Sequence, residues 1–176
     1  RNTQWWLSQR MTRFGLVAAA NGMEVGWDDT PRFESGPIVA CDLNSYLLLQ
    51  MRICAEFAGM CGDSQAAAEL ESQADAYADR MVSLLFDPDS GLFWDLSLDS
   101  GDPVRIKTPA CFLPLLAEVP LDAEDKRRAI EGYLLNPSCF FGEVPFPVVA
   151  YDEPSYESDQ WWRGPTWINV AYLMID

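Results

Sequence analysis

The spacing of apolar residues predicts helices in series along most of the chain. Between residues 42 and 60, apolar side chains cover most of a helical circumference, which predicts a helix buried on several sides. Between residues 63 and 86, an apolar stripe recurs at three- and four-residue steps beside a charged face. Asp42 and Asp63 stand at the starts of these runs, where each can act as an N-cap. The two patterns together predict a pair of long helices, one more buried than the other.

Shorter elements are predicted on both sides of this pair. We expect a first helix over 3–20, with Thr3 as its N-cap and Asn21-Gly22 as its end. A short β-hairpin is expected around 91–100, where aromatic residues follow a turn.

The second half of the chain combines short helices with a long loop. Helices are expected over 109–116 and 122–136, the second with Asp122 as its N-cap. The stretch 138–164 holds Pro145, Pro147 and Pro154 and is predicted to be a loop, and a loop of this length in a compact domain is usually functional. Pro165 suits the first position of a final helix. Alternating buried and half-exposed helices joined by such loops fit an all-α toroid of helical hairpins.

Composition narrows the partners of the chain. The 176 residues are 49% hydrophobic and 22% charged, which is typical of one globular domain with a core. The net charge of −15 at pH 7 repels nucleic acid and anionic membranes, so we expect neither as a partner. No apolar run reaches about 18 residues, so no membrane span is predicted. A neutral carbohydrate is unaffected by such a charge.

The histidine and cysteine content limits which catalytic and metal sites the chain can form. The chain has no histidine, which removes Ser/His and Cys/His nucleophile systems and most zinc sites. The five cysteines form no CxxC pair, and we expect buried free thiols in a reducing, cytoplasmic compartment, with no metal bound. They are Cys41, Cys54, Cys61, Cys111 and Cys139. No signal peptide is visible, and both chain ends fall inside predicted elements, so we expect a piece of a longer protein.

Two short segments carry the candidate chemistry. Residues 26–33 (GWDDTPRF) and 161–167 (WWRGPTW) place indole rings beside charged groups where Gly and Pro force a turn. Indole rings cover the C–H faces of a pyranose while polar groups bond its hydroxyls, so this mixture suits a sugar. Trp27 would shield Asp28 from water and help it keep the proton that a general acid donates. The alternative is an Asp-turn in which Asp28 or Asp29 bonds nearby amides.

Other residues near these segments suit a sugar pocket but also have purely structural interpretations. Arg32 can bond a sugar hydroxyl or a substrate carboxylate, or form a salt bridge with Glu34 or Asp29. A helix start can bring Asp42 and Asn44 to the pocket, or use them only as caps. The rings of the second segment can pack in the core instead of against a sugar. The candidate substrate-binding residues are Trp27, Arg32, Asp42, Asn44, Trp162 and Arg163.

Colinear segments of the chain resemble glycoside hydrolase family 63, especially its bacterial, mannosylglycerate hydrolase-like branch, and the related trehalases. They are residues 26–33, 42–47 (DLNSYL), 91–95 (GLFWD), 112–115 (FLPL), 143–156 (EVPFPVVAYDEPSY) and 162–167 (WRGPTW). The resemblance implies an (α/α)6 barrel that hydrolyses an α-glucoside or α-mannoside of a small saccharide, with inversion and without a cofactor. It assigns the general acid to Asp28, with the candidate substrate-binding residues lining the pocket.

The resemblance also implies that residues 1–176 lack one part of the mechanism. In the family the general base is a Glu well after the Trp-Arg-Gly-Pro segment, and this chain ends soon after that segment. We therefore expect a single, truncated catalytic domain over 1–176, inactive in isolation and self-associating through exposed apolar helix faces. The alternatives are a trehalase-like hydrolase and a non-catalytic helical domain that binds carbohydrate or another subunit.

Overall fold

The computed structural model describes residues 2–175, which fold into helices with two small antiparallel sheets. The helices are α1 (Asn2–Gln9), α2 (Gly22–Val25), α3 (Cys41–Met60), α4 (Ser64–Leu85), α5 (Leu113–Leu116), α6 (Ala123–Ala129) and α7 (Ile168–Ile175). The strands are β1 (Ile38–Val39), β2 (Phe86–Asp87), β3 (Leu92–Phe93), β4 (Asp95–Ser97) and β5 (Pro103–Val104). Two 3-10 turns lie at Pro31–Phe33 and Pro109–Phe112, and a π-helical turn at Ile130–Leu134 continues α6.

The predicted pair of long helices is confirmed as α3 and α4. Asp63 caps α4, since its side chain accepts a hydrogen bond of 3.0 Å from the amide of Ala66. Asp42 is not the N-cap of α3, because Ala40 holds that position and Asp42 lies in the first turn. The main core lies between these helices and includes Leu48, Met51, Ala74, Met81 and Leu85.

The prediction that α3 is buried on several sides is wrong for its second half. Ile53, Phe57 and Met60 are exposed there. Only the first half of α3 is therefore buried on several sides, and the apolar side chains of its second half form an exposed surface. The expectation of buried cysteines fails in the same region, because Cys54 and Cys61 are exposed. Cys41, Cys111 and Cys139 are buried as expected.

The predicted first helix is too long. α1 ends at Gln9, and the following residues pair as isolated antiparallel bridges, Met11 with Val17 and Ala19 with Ile38. Gly15 turns the chain with a φ of +72°, a left-handed conformation that breaks any helix. The Thr12 hydroxyl donates to the Leu16 carbonyl at 2.7 Å and closes this turn. Thr3 lies inside α1 and is not its N-cap.

The β structure expected around 91–100 is present, with different partners. Strands β3 and β4 lie in this range, but they do not pair with each other. β3 pairs with β2, with Phe93 opposite Phe86, while β4 is the centre of a sheet in the order β1-β4-β5. The chain from β2 to β5 thus makes two consecutive hairpins, β2–β3 and β4–β5. The second hairpin also pairs with β1, which precedes α3.

The second half of the chain largely follows its prediction. The 3-10 turn at Pro109–Phe112 and α5 fill 109–116, and Asp122 caps α6 by accepting a bond of 2.8 Å from the amide of Asp125. The long loop 138–164 contains no helix or strand. Pro165 precedes the start of α7 by three residues, so its predicted place at the first helical position is wrong. No helix of the described chain is long and apolar enough to cross a membrane.

A buried ion triad ties three of these elements together. Arg32, on the first 3-10 turn, lies between Asp42 in α3 and Asp95 in β4, and the three side chains are 0%, 1% and 5% exposed. Its guanidinium donates two hydrogen bonds to each carboxylate, at 2.8 and 2.9 Å to Asp42 and at 2.7 and 2.8 Å to Asp95. Asp95 also accepts the amide of Cys41 at 2.8 Å.

The triad is satisfied as a unit rather than as separate charges. Burial alone would lower the pKa of Arg32, but the charges and hydrogen bonds of Asp42 and Asp95 outweigh burial and hold that pKa well above its ordinary value. Such a group adds little net stability compared with an apolar core, yet removing one partner leaves a buried charge without compensation. We therefore expect the triad to fix which segments meet, and the protein to be sensitive to its loss.

Arg32→Ala should lower the free energy of unfolding by about 3–5 kcal/mol, because two buried carboxylates would then face each other without a cation. Arg127→Ala is the matched control, since Arg127 also bonds two carboxylates, Glu124 and Glu131, but on an exposed face. The control should be nearly neutral. Urea unfolding of both variants measures the difference, and equal losses would contradict the structural role of the triad.

The β2–β3 hairpin should make the protein sensitive to acid through Asp87. Burial would raise the pKa of Asp87, but hydrogen bonds from Ser90, the amide of Asp89 and Trp94, with the charge of Arg105, outweigh burial and lower that pKa below its ordinary value of 3.8. A lowered pKa in the folded state gives stability that is present above pH 3.8 and is lost as the pH falls below it. Asp87→Ala should therefore be less stable than wild type at pH 6, with the gap closing below pH 3.8. A gap that stays constant in urea unfolding across this range would contradict the assignment.

Candidate active site

The loop that carries Asp28 follows a short helix that the sequence did not reveal. Asn21 caps α2 by accepting a bond of 3.3 Å from the amide of Glu24, and Gly26 ends α2 with a φ of +78°. The Asn21-Gly22 pair thus starts a helix, whereas the sequence predicted that it ends one. A Cβ on Gly22 would lie 2.3 Å from the carbonyl oxygen of Trp27 and 2.7 Å from that of Asp28. Only glycine lets the loop fold back so closely.

The two Trp segments predicted to form a site meet in the structure. The rings of Trp27 and Trp162 stack with centroids 5.2 Å apart and planes at 23°. Trp162 stacks in turn on Trp167, at 4.4 Å and 5°. Trp27 and Trp162 are 4% and 6% exposed, so the stack is largely buried. We call these three rings the indole stack.

Polar contacts link the same two segments. A carboxylate oxygen of Asp29 accepts a hydrogen bond of 2.8 Å from the amide of Trp162. Arg163 donates to Glu34 at 2.6 Å, and the pair is partly exposed. Gly164 allows the second segment to turn here, because a Cβ would lie 2.3 Å from the carbonyl oxygen of Glu157. The contacts place the Asp28 loop and the Trp-Arg-Gly-Pro segment side by side.

Asp28 is exposed at the edge of this arrangement. The sequence argument expected Trp27 to shield its carboxyl, but the Trp27 ring packs on Trp162 instead. Among the described residues, Asp28 has no side-chain hydrogen bond or ion pair, so its carboxyl is free to contact a ligand. Asp29 bonds a distant amide rather than a nearby one, so the simple Asp-turn does not describe it. The role of Asp28 as the general acid stays a prediction.

Three of the candidate substrate-binding residues point inward. Arg32 and Asp42 belong to the buried triad. Asn44 is fully buried, donates to the carbonyls of Val17 and Ala40 at 3.0 and 2.8 Å, and accepts from the Tyr77 hydroxyl. These side chains have almost no surface for a sugar in the described chain. Their link to the site is indirect, because the guanidinium of Arg32 lies 5.3 Å from the centroid of the Trp27 ring.

The remaining candidates reach the surface unequally. Arg163 is partly exposed, whereas Trp162 is nearly covered by its neighbours in the stack. Sequence reasoning did not assign a role in the site to Trp167, which continues the stack, or to Asp29. The repeated Trp in 161–167 was the available signal for Trp167. No local pattern marks the hydrogen bond of Asp29, because its partner amide is so distant along the chain.

A hollow of about 370 Å³ lies away from these residues. It is lined by residues 9–13 and 18–20 together with Pro37 and Leu98. Neither Asp28 nor the indole stack lines it, so we do not take it as the sugar site. Within the described residues, no cluster of three or more Asp, Glu or Cys side chains is arranged to hold a metal ion.

Comparisons with known proteins agree with this arrangement. The family described as the mannosylglycerate hydrolase MGH1-like glycoside hydrolase domain matches residues 1–176. A mannosylglycerate hydrolase of Rubrobacter radiotolerans is 29% identical over 157 residues, which cover 86% of this chain and 35% of that protein. A trehalase of Dictyostelium discoideum is 24% identical over 173 residues, which cover 89% of this chain and 28% of that protein.

A solved structure shares the fold. The GH63 mannosylglycerate hydrolase from Thermus thermophilus in complex with glucose matches with a TM-score of 0.81 and 21% identity, over 98% of this chain and 51% of that one. The chain therefore spans about half the length of that structure and a smaller share of the curated relatives. The all-α expectation of part of an (α/α)6 toroid with a small β-hairpin is confirmed. The chain belongs to the mannosylglycerate hydrolase MGH1-like glycoside hydrolases of GH63 type and spans part of their catalytic domain.

Proposed function

We propose that the chain provides the general-acid side of a glycosidase site, in which Asp28 protonates the leaving oxygen of an α-glycosidic bond. The observation that carries the proposal is the contact between the two Trp segments, which leaves Asp28 exposed beside the indole stack. A sugar bound over this edge can reach the exposed carboxyl, while the largely buried rings beneath it organise the surface. The bound sugar would exclude water from that carboxyl and help it hold the proton until transfer.

We propose two kinds of role for the other site residues. Trp162 and Trp27 form the base on which the glycone pocket is built, and the partly exposed Arg163 bonds sugar hydroxyls. Arg32, Asp42 and Asn44 act as positioning residues, because they are buried and hold the elements beneath the stack. This differs from a pocket in which all six side chains touch the sugar.

The general base of the proposed inverting mechanism lies outside residues 1–176. Inversion needs a second carboxyl group about 6.5–9.5 Å from the acid, with the attacking water between them. The resemblance to family 63 assigns that base to a Glu well after the segment 162–167. We therefore expect no hydrolysis from residues 1–176 alone.

The proposed substrate is a small α-glucoside or α-mannoside. Mannosylglycerate is the first compound to test, because the Rubrobacter and Thermus proteins bear that activity in their names. Trehalose is the second, because similarity extends to a trehalase. We propose no cofactor and a cytoplasmic location. A non-catalytic carbohydrate-binding domain is the alternative. The two functions differ in whether hydrolysis by the full-length protein requires Asp28.

Asp28→Asn, made in the full-length protein that contains this chain, should lower kcat for hydrolysis of the substrate roughly 10²–10⁴-fold while leaving substrate binding intact. An amide occupies the same space but cannot give up a proton. Asp79→Asn is the matched control, because Asp79 is another exposed aspartate, on α4. Product release and calorimetric binding measure the two effects. If Asp28→Asn kept the wild-type kcat, the acid assignment would be wrong.

Residues 1–176 on their own should self-associate through the exposed face of α7. Ile168, Tyr172 and Ile175 lie at steps of four and three residues, so they form one apolar stripe, and all three are exposed. We propose that a second copy covers this stripe when the chain is isolated. Light scattering should give a mass above that of one chain, and Ile168→Ser with Ile175→Ser should reduce it. A monodisperse monomer before any substitution would contradict the proposal.

A further inference from the structure

The hydrogen bond between Asp29 and Trp162 joins the two halves of the candidate site directly. It connects side chain to main chain at 2.8 Å across 133 positions of sequence. Its acceptor is a carboxylate, and hydrogen bonds to charged acceptors are stronger than those between neutral groups. Asp29 is half-buried, so the bond is partly protected from competing water.

Both ends of this bond sit next to the proposed chemistry. Asp29 immediately follows Asp28, so fixing its side chain restricts the backbone that carries the acid. Trp162 is the central ring of the indole stack, in contact with Trp27 on one side and Trp167 on the other. A single contact thus constrains the acid loop relative to the rings that form the base of the proposed pocket.

Other contacts between these segments are less suited to this task. The ion pair of Arg163 with Glu34 is partly exposed, with more than half of the Glu34 side chain open to solvent. Exposed pairs of long side chains contribute little and hold their geometry loosely. The stacking of Trp27 on Trp162 fixes the distance between the rings but allows sliding. A short hydrogen bond to a backbone amide defines the position of the loop along the stack.

We propose that Asp29 is a positioning residue that holds the Asp28 loop in register with the indole stack. The inference rests on the proposed function for its catalytic consequence, but its structural part does not depend on hydrolysis. Misplacing a reacting group by about 1 Å can cost roughly 10²-fold in rate. Loss of the bond should therefore loosen the stack and reduce catalysis, without any contact between Asp29 and the sugar.

The structural part is tested on residues 1–176 by near-ultraviolet circular dichroism. Indole rings held in a fixed asymmetric environment give near-ultraviolet bands, and the contact between Trp27 and Trp162 should contribute to them. Asp29→Ala should lose part of this near-ultraviolet signal, whereas Asp29→Asn, which keeps an acceptor oxygen, should retain it. Asp63→Ala is the matched control, because it removes the same type of aspartate-to-amide bond at the start of α4. The control should lower the urea midpoint but keep the near-ultraviolet signal.

The catalytic part is tested in the full-length protein. Asp29→Ala should lower kcat/KM roughly 10- to 100-fold, with the loss in kcat larger than any rise in KM. Asp29→Asn should restore most of the activity, and Asp63→Ala should leave it unchanged. Asp63→Ala also lowers stability, so a loss of activity that occurs only in Asp29→Ala would reflect positioning and not a general loss of stability.

The two proposals fail in different ways. If Asp29→Ala keeps the wild-type near-ultraviolet signal, or if Asp63→Ala loses as much of it, the positioning role is overturned whatever Asp28 does. If that signal responds to Asp29 but Asp28→Asn retains full kcat, the acid assignment fails while the coupling between loop and stack stands. Far-ultraviolet spectra identify a variant that has not folded, and Asp29→Asn then carries the test.

Discussion

The site depends on a buried arginine held between two aspartates. Arg32 joins α3 to β4 through Asp42 and Asp95, and its guanidinium also lies 5.3 Å from the Trp27 ring centroid. The N–H groups of the cation therefore bond carboxylates, and an aromatic ring lies nearby. Arginine accommodates both neighbours well because its guanidinium is planar. From Trp27 the contacts continue through Trp162 to the end of the stack. The buried triad thus lies directly beside the indole stack.

The structure divides the residues that the sequence placed in one pocket into a buried group and a surface group. Arg32, Asp42 and Asn44 are buried and bond other segments, and in the proposed function the surface residues supply the chemistry. Asp28 and Arg163 belong to the second group, since both keep solvent contact. The family membership and the fold agree with a glycosidase domain, and the chain spans about half of the related structure. Within the described residues, apolar faces of α3 and α7 are exposed.

The sequence predicted those parts of the fold that depend on local periodicity. α3, α4 and the cap at Asp63 follow from apolar spacing and from one side chain bonding a nearby amide. The end of α1 was missed, because the turn at Gly15 depends on a left-handed backbone that a periodic apolar pattern does not reveal. The two Trp segments were correctly expected to be neighbours on the basis of family resemblance. The burial of Arg32 and the hydrogen bond that Asp29 accepts from the Trp162 amide could not be predicted, because both depend on residues distant in sequence.

In the proposed function, Asp28 donates a proton to a sugar held against a surface organised by the indole stack. A crystal structure of the full-length Asp28→Asn protein with an intact disaccharide or glycosylglycerate substrate would show whether Asp28 is placed to do so. We predict that the amide of the substituted side chain lies about 2.6–3.2 Å from the glycosidic oxygen, within hydrogen-bonding reach. A substrate bound elsewhere, or a glycosidic oxygen facing a different carboxyl group, would show that Asp28 is not the general acid.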